Sequence, residues 1–103
     1  MTNQVEAGKL FIRAAAQGFP HAQNAIGCSY ETGQGVAQDV VEAYKWYHLA
    51  VAQNQRDAKV NLNRLLPKLS AEQIAEGKNR ASQFVPKPVL ADTGDIRPKI
   101  DAK

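Results

Sequence analysis

The chain has 103 residues and a net charge of +3, and 44% of its residues are hydrophobic and 22% are charged. This composition is typical of one small globular domain and argues against extensive disorder. No apolar run approaches the roughly 20 residues of a membrane helix, and the single cysteine, Cys28, excludes an internal disulfide and a cysteine-based zinc site.

Charge pattern and the N-terminal residues limit the partners and the compartment. Basic and acidic residues are interleaved along the chain, without the basic stripe that would neutralise a row of phosphates. We therefore expect neither nucleic acid nor a membrane as a partner. The N-terminus lacks a basic region followed by an apolar one, so no signal peptide is predicted and a cytoplasmic location is expected. The alternative is that the chain is a fragment that lacks an upstream signal peptide.

An internal repeat of 36 residues organises the sequence. Residues 5–22 and 41–58 share eight identities when they are aligned at this spacing. A fixed period of this length is typical of helical repeat arrays, in which each unit contributes a small group of helices. The sequence is therefore expected to fold as a stack of helices.

The first two predicted helices cover residues 4–18 and 21–32. In the second helix, small or apolar residues recur at the spacing of one helical face, namely at Ala22, Ala25, Ile26, Ser29 and Tyr30. Pro20 suits the first turn of this helix, because its missing N–H is not needed there. Gly33 and Gly35 then end the helix, since glycine tolerates left-handed backbone.

The third and fourth predicted helices cover residues 40–53 and 57–66. Asp39 and Glu42 resemble a capping box at the start of the third helix. The spacing of its apolar residues predicts a buried face made of Ala43, Trp46, Tyr47 and Ala50. By the 36-residue period, the third helix is equivalent to the first and the fourth to the second.

The end of the chain departs from the repeat. Pro67 interrupts the fourth helix, and Ser70 with Gln73 forms a second capping box that opens a last helix over 70–84. A repeat array needs an atypical end unit to seal its final apolar face, so this helix is predicted to be a cap. The proline-containing residues 85–103 are predicted to form a flexible tail.

Two motifs in this sequence resemble those of a known family. Gly-x-Gly-Val-x-x-Asp at 33–39, followed by Ala-x-x-Trp-Tyr at 43–47, is similar to the SEL-1-like repeat, a relative of the tetratricopeptide repeat. The resemblance implies an all-α fold, a right-handed α-α superhelix of about five helices with a C-terminal capping helix. It places a repeat domain over 1–84, with a complete unit over 21–56 that follows the second helix of one unit and precedes the first helix of another.

The same resemblance implies a non-catalytic protein–protein interaction module or scaffold that uses neither a cofactor nor a metal. In such arrays the first helix of each pair lines the concave side, where a partner peptide or protein binds. In this sequence the candidate concave-face residues are Asn24, Cys28, Glu31, Val60 and Arg64, with Pro67 beyond them. The alternative is that these residues are ordinary exposed positions on helices.

A second candidate surface lies at the N-terminal edge. The helix over 4–18 corresponds to the second helix of a unit, so we expect it to lack the helix that would normally cover it. Leu10, Phe11 and Phe19 are then expected to be partly exposed, and exposed apolar patches often mark interfaces. This edge is a candidate for self-association.

The sequence leaves two alternatives to the scaffold interpretation. Some relatives are β-lactam-binding hydrolase-like proteins with a disulfide in each repeat, but none of the matching positions is a cysteine here, namely Ala15, Gln23, Val51 and Lys59. His21 and His48 lack the partner at i+3 or i+4 that a helical metal pair requires. The other alternative is a fragment of a larger regulatory protein, whose function lies outside these residues.

Overall fold

The structure is a computed structural model that describes residues 2–87. Within this range the chain forms five α-helices and one short 3-10 turn, and it contains no β-strand. This confirms the predicted all-α fold. The helices are α1 (Thr2–Ala16), α2 (Pro20–Thr32), α3 (Val40–Ala52), α4 (Arg56–Leu65) and α5 (Ala71–Ser82), and the 3-10 turn is Leu66–Lys68.

Helix α3 lies at the centre of the described fold. It packs against α2, α4 and α5, while α1 packs against α2. Helices α2 and α4 also contact each other. The two helices that the repeat makes equivalent are therefore neighbours, and they form a shared face beside α3.

Glycine and proline set the boundaries of α2, as the sequence predicts. Pro20 occupies the first turn, and the helix ends at Thr32, directly before Gly33, whose φ of 77° is left-handed. The Gly33 N–H donates to the Ser29 carbonyl at 2.7 Å, which satisfies one carbonyl at the helix end. Gly35 is also left-handed, with φ of 80°, and so the chain turns back into α3.

Only one of the two predicted capping boxes forms. Ser70 and Gln73 make both reciprocal hydrogen bonds at the start of α5. Asp39 caps α3 by accepting from the backbone N–H groups of Val41 and Glu42. The Glu42 side chain does not reach back, because the Asp39 N–H donates to the Tyr30 carbonyl, and Glu42 instead accepts from Arg80 Nη1 at 2.7 Å.

The predicted buried face of α3 is confirmed. Ala43, Trp46, Tyr47 and Ala50 are all buried, and so is Tyr44. Two of these rings lie against glycines of neighbouring helices. A Cβ atom added at Gly27 of α2 would lie 2.6 Å from Tyr47 Cδ1, and one added at Gly77 of α5 would lie 2.4 Å from Tyr44 Cδ1. Helices α2 and α5 therefore approach α3 more closely than any side chain would allow at these two positions.

The C-terminal residues differ from the predicted tail. Helix α5 ends at Ser82 rather than at Phe84, and residues 83–87, which we call the strap, return towards α1. The Phe84 ring meets the Trp46 ring edge-on at 5.4 Å, and the Lys87 N–H donates to the Ala16 carbonyl at 2.7 Å. The Lys87 hydrogen bond places the end of the strap beside α1, and the flexibility of residues 85–87 stays a prediction. The remaining predicted tail, 88–103, lies outside the described residues.

Candidate interaction face

Polar residues follow one side of α2 at helical spacing. His21, Asn24, Cys28 and Glu31 are separated by three, four and three residues, so their side chains lie on one face of the helix. This face points towards α4, the neighbouring helix of the same layer. Three of the five predicted concave-face residues therefore share one stripe.

Three hydrogen-bonded pairs connect α2 with the segment that begins at Gln55, and we call these pairs the ladder. Gln55 Nε2 lies 3.1 Å from His21 Nδ1 at one end. Asn61 Nδ2 donates to Asn24 Oδ1 at 2.9 Å in the middle. At the other end Arg64 Nη2 donates to Glu31 Oε1 at 2.5 Å, and Arg64 Nη1 donates to Asn61 Oδ1 at 2.8 Å. The ladder fixes the spacing between α2 and α4 by polar contacts.

Tyr47 contacts the ladder from the side of the core. Its ring lies in the core against Gly27, and its hydroxyl reaches the surface layer. The hydroxyl donates to Glu31 Oε1 at 2.8 Å and lies 3.2 Å from Cys28 Sγ. Asn61 Nδ2 also lies 3.6 Å from this sulfur. One core residue therefore orients two of the predicted site residues.

The charged groups of the ladder stabilise one another. Burial by itself raises the pKa of the Glu31 carboxyl, but hydrogen bonds from Arg64 and Tyr47 and the charges of Arg64 and Lys68 hold that pKa below its usual value. Burial, together with the neighbouring Cys28 and Glu31, raises the pKa of Tyr47 far above the usual range of a phenol. Glu31 is thus an anion and Tyr47 a neutral donor at neutral pH.

Four of the five predicted concave-face residues meet in this network: Asn24, Cys28, Glu31 and Arg64. The fifth, Val60, lies on α4 with 66% of its surface exposed and presents an apolar side chain beside the ladder. Pro67 is exposed in the 3-10 turn. Asn61 was not predicted as part of this face, and Tyr47 was predicted only as a core residue. The position of Asn61 one helical turn before Arg64 was the available signal.

An open cavity adjoins the end of the ladder at His21. Its volume is about 590 Å³, and its walls come from the start of α2 and from the loop that leads into α4. The lining residues are Pro20, His21, Gln53, Asn54, Gln55, Arg56 and Asp57. The wall is mostly polar, so the cavity extends the polar character of the ladder.

The described residues offer little for other kinds of site. Among residues 2–87, no group of three histidine, cysteine, aspartate or glutamate side chains is placed to hold a metal ion. His48 stacks on Tyr44 with ring centroids 5.6 Å apart, away from His21. None of the helices in this part of the chain combines the length and apolarity needed to span a bilayer.

The predicted N-terminal edge is exposed. Leu10 and Phe11 on α1 have 64% and 43% of their surfaces exposed, and Phe19 before α2 has 54% exposed. The exposure of these residues is therefore confirmed. Self-association through this edge stays a prediction, which light scattering at high protein concentration would test.

The fold and the paired helices define a helical repeat protein, and comparison with known proteins gives its family. The Sel1 repeat family model matches residues 2–19 and 20–55, and the chain therefore belongs to the Sel1 repeat family. The crystal structure of a Sel1 repeat protein from Oxalobacter formigenes is similar, with 32% identity and a TM-score of 0.59 over 87% of this chain. This chain spans only 39% of that protein. No curated protein matches the sequence.

Sel1 repeat proteins are generally protein-interaction modules and are typically non-catalytic scaffolds. The predicted family is therefore confirmed, and it is a family whose members generally mediate protein–protein interaction.

Proposed function

We propose that this chain is a non-catalytic module that binds an extended segment of a partner protein over the face formed by α2 and α4. The ladder is the observation that carries this proposal. The ladder and the adjoining Cys28 bring Asn24, Cys28, Glu31 and Arg64, four side chains predicted for the concave face, onto one surface between two neighbouring helices.

The ladder keeps unused hydrogen-bonding capacity for a ligand. Asn24 uses its amide oxygen to accept from Asn61, which leaves the two N–H donors of its amide for a partner backbone carbonyl. Arg64 uses one hydrogen bond to Glu31 and one to Asn61, out of the five N–H donors of a guanidinium group. Because these side chains already hold one another in place, a ligand need not order them on binding, which favours affinity.

The test is a pull-down from a lysate of the source organism with the full-length chain as bait. The variant Asn24→Arg with Arg64→Glu places a bulky cation and a reversed charge on the ladder. A matched control, Asn79→Arg with Lys78→Glu, makes the same two kinds of change on exposed positions of α5. Far-UV circular dichroism establishes that both variants are folded.

We expect a partner that the wild type and the α5 control capture and that the ladder variant loses. Partners that all three proteins capture equally would contradict the proposal and would direct attention to the N-terminal edge at Leu10 and Phe11. If the wild type captures no partner that the ladder variant loses, the α2–α4 face is not the binding surface.

A further inference from the structure

The segment from Arg56 to Lys68 is strongly basic, although basic and acidic residues are nearly balanced over the chain as a whole. It contains four basic residues, Arg56, Lys59, Arg64 and Lys68, and a single acidic residue, Asp57. All four basic side chains are exposed. Helix α5, in contrast, has two basic and two acidic residues. The positive charge is therefore concentrated on one side of the proposed binding face.

Three of these cations form a row together with Val60. Arg56, Val60 and Arg64 are each four residues apart on α4, and Lys68 follows four residues later in the 3-10 turn. Each step of four residues advances about one helical turn and shifts by roughly 40° around the helix axis, so the row is slanted. The row runs along the exposed side of α4, and Lys68 continues it in the 3-10 turn. Val60, with 66% of its surface exposed, interrupts the cations with one apolar side chain.

The row has the repeat distance of an extended peptide. Four residues of an α-helix rise about 6 Å, and two residues of an extended chain span about 6.7 Å. Alternate side chains of a bound strand therefore fall close to successive members of the row over its length. The ladder lies alongside, where Asn24 offers the N–H donors of its amide to the strand backbone.

Arg64 has room for a second carboxylate. Its guanidinium already contacts Glu31, but 47% of its side chain remains exposed and several of its donors are not used by Glu31 or Asn61. Glu31 is the only acidic residue of α2, so it offsets one cation of the four. The net charge beside the ladder is positive, and an acidic partner would complement it.

We infer that the partner segment is an acidic, extended peptide with the pattern acidic-x-aliphatic-x-acidic-x-acidic, whose alternate side chains lie on Arg56, Val60, Arg64 and Lys68. This rests on the proposed function, since it specifies the ligand of the same face. The aliphatic residue contacts Val60, and the three carboxylates contact the three cations. Nucleic acid fits the row less well, because single strands are held by stacking on aromatic rings and the row contains none.

Three synthetic peptides test the inference on the full-length chain by fluorescence anisotropy. The first is Gly-Ser-Glu-Ser-Leu-Ser-Glu-Ser-Glu-Ser-Gly. The second has the same composition with its three glutamates consecutive, and the third has lysine in place of each glutamate. We expect the first peptide to bind at least about tenfold more tightly than the third and about threefold more tightly than the second, and to weaken at high salt.

Two charge-reversed variants locate the binding. Arg56→Glu with Lys68→Glu alters two members of the row, whereas Lys59→Glu with Lys78→Glu makes the same change in net charge outside it. We expect the first variant to weaken binding of the acidic peptide more than tenfold and the second to weaken it less than threefold. Val60→Ser should weaken the leucine-containing peptide but leave a serine-substituted version unchanged.

Several results would overturn the inference, and they separate it from the proposed function. Equal weakening by both charge-reversed variants would mean that the peptide is attracted by the net charge of the protein and does not bind at the row. Equal binding of all three peptides, lost on Asn24→Arg with Arg64→Glu, means that the face docks peptides without preference for acid. If no peptide binds while that ladder variant still loses a lysate partner, the proposed function stands and the acidic ligand is wrong. A single-stranded oligonucleotide that binds more tightly than the acidic peptide, and is lost with Arg56 and Lys68, makes the row a nucleic-acid site.

Discussion

Helix α3 contacts its neighbours mainly through apolar side chains, whereas α2 and α4 contact each other mainly through polar side chains. Around α3, buried rings fit against glycines and alanines, so shape decides which helix lies where. Between α2 and α4, half-buried polar side chains meet through the ladder. Tyr47 takes part in both, with its ring in the first and its hydroxyl in the second. Because apolar burial is the dominant favourable term in folding, we expect the contacts around α3 to account for most of the stability.

Removing the central ring of the apolar contacts should have the largest effect. Trp46 is 6% exposed and packs with Ala15, Ala22, Ile26 and Phe84. We expect Trp46→Ala to lower the free energy of unfolding by about 3–5 kcal/mol, because it leaves a cavity in the core. In a domain of this size that loss lowers the Tm by more than about 10 °C. If the Tm of the variant fell by only a few degrees, Trp46 would not be a stabilising part of the core.

Substitution of the two contact glycines by alanine should have the next largest effect on stability. The sign of that effect shows whether the close contact is required. In an ordinary helix, glycine to alanine raises stability by about 1 kcal/mol. At Gly27 and at Gly77 the new Cβ would meet a tyrosine ring at less than 3 Å, so we expect each substitution to cost about 1–3 kcal/mol instead. Urea unfolding of the two single variants measures this. A gain in stability at either position would show that the helices can separate without cost.

Tyr47→Phe tests whether the polar and apolar contacts can be separated. This variant keeps the ring on Gly27 and removes the hydrogen bond to Glu31, so we expect a loss of about 1–2 kcal/mol in urea unfolding. Tyr44→Phe is the matched control, since the Tyr44 hydroxyl takes no part in the ladder, and it should lose less. Equal losses in both variants would mean that the ladder contributes nothing through Tyr47.

The smallest effect is a dependence of stability on pH that belongs to Glu31. Its pKa is lower in the folded chain than in the unfolded chain, so its contribution is present above about pH 4.5 and is lost as the pH falls through the folded value. We expect this contribution to be below about 1 kcal/mol. The measurement is the free energy of unfolding in urea of the wild type and of Glu31→Gln at several pH values. The difference between the two proteins should shrink at acid pH, and a constant difference would contradict the prediction.

The helices and their buried faces could be predicted because they depend on local spacing. Trp46 and Tyr47 fall on the apolar side of a helix with a period of 3.6 residues, and Gly33 ends α2 through its own left-handed backbone. Such features need no knowledge of the neighbouring helices. The position of Glu42 does need that knowledge, because its contact with Arg80 arises only when α5 packs on α3.

Asn61 shows why the repeat predicts a face better than it predicts contacts. The 36-residue period makes Val60 the equivalent of Asn24, but the residue that bonds Asn24 is Asn61. Helices α2 and α4 are equivalent by the period, so equivalent side chains on them point in the same direction. One helix contacts the other through its opposite side, and equivalent residues therefore do not contact each other. A contact between units must therefore join residues that the period does not pair, and three-dimensional packing is needed to find them.

The strap determines how the described part of the chain comes apart. In a simple repeat array each unit touches only its neighbours, so the end helices can unfold one at a time. Here Phe84 and Lys87 carry the chain from α5 across Trp46 to the end of α1. Loss of α5 therefore also uncovers Trp46 and removes the Lys87 hydrogen bond to α1, so the strap couples α5 to α1 although α1 still packs on α2. Amide hydrogen exchange should accordingly be slowed to a similar extent in α5 and in the C-terminal half of α1.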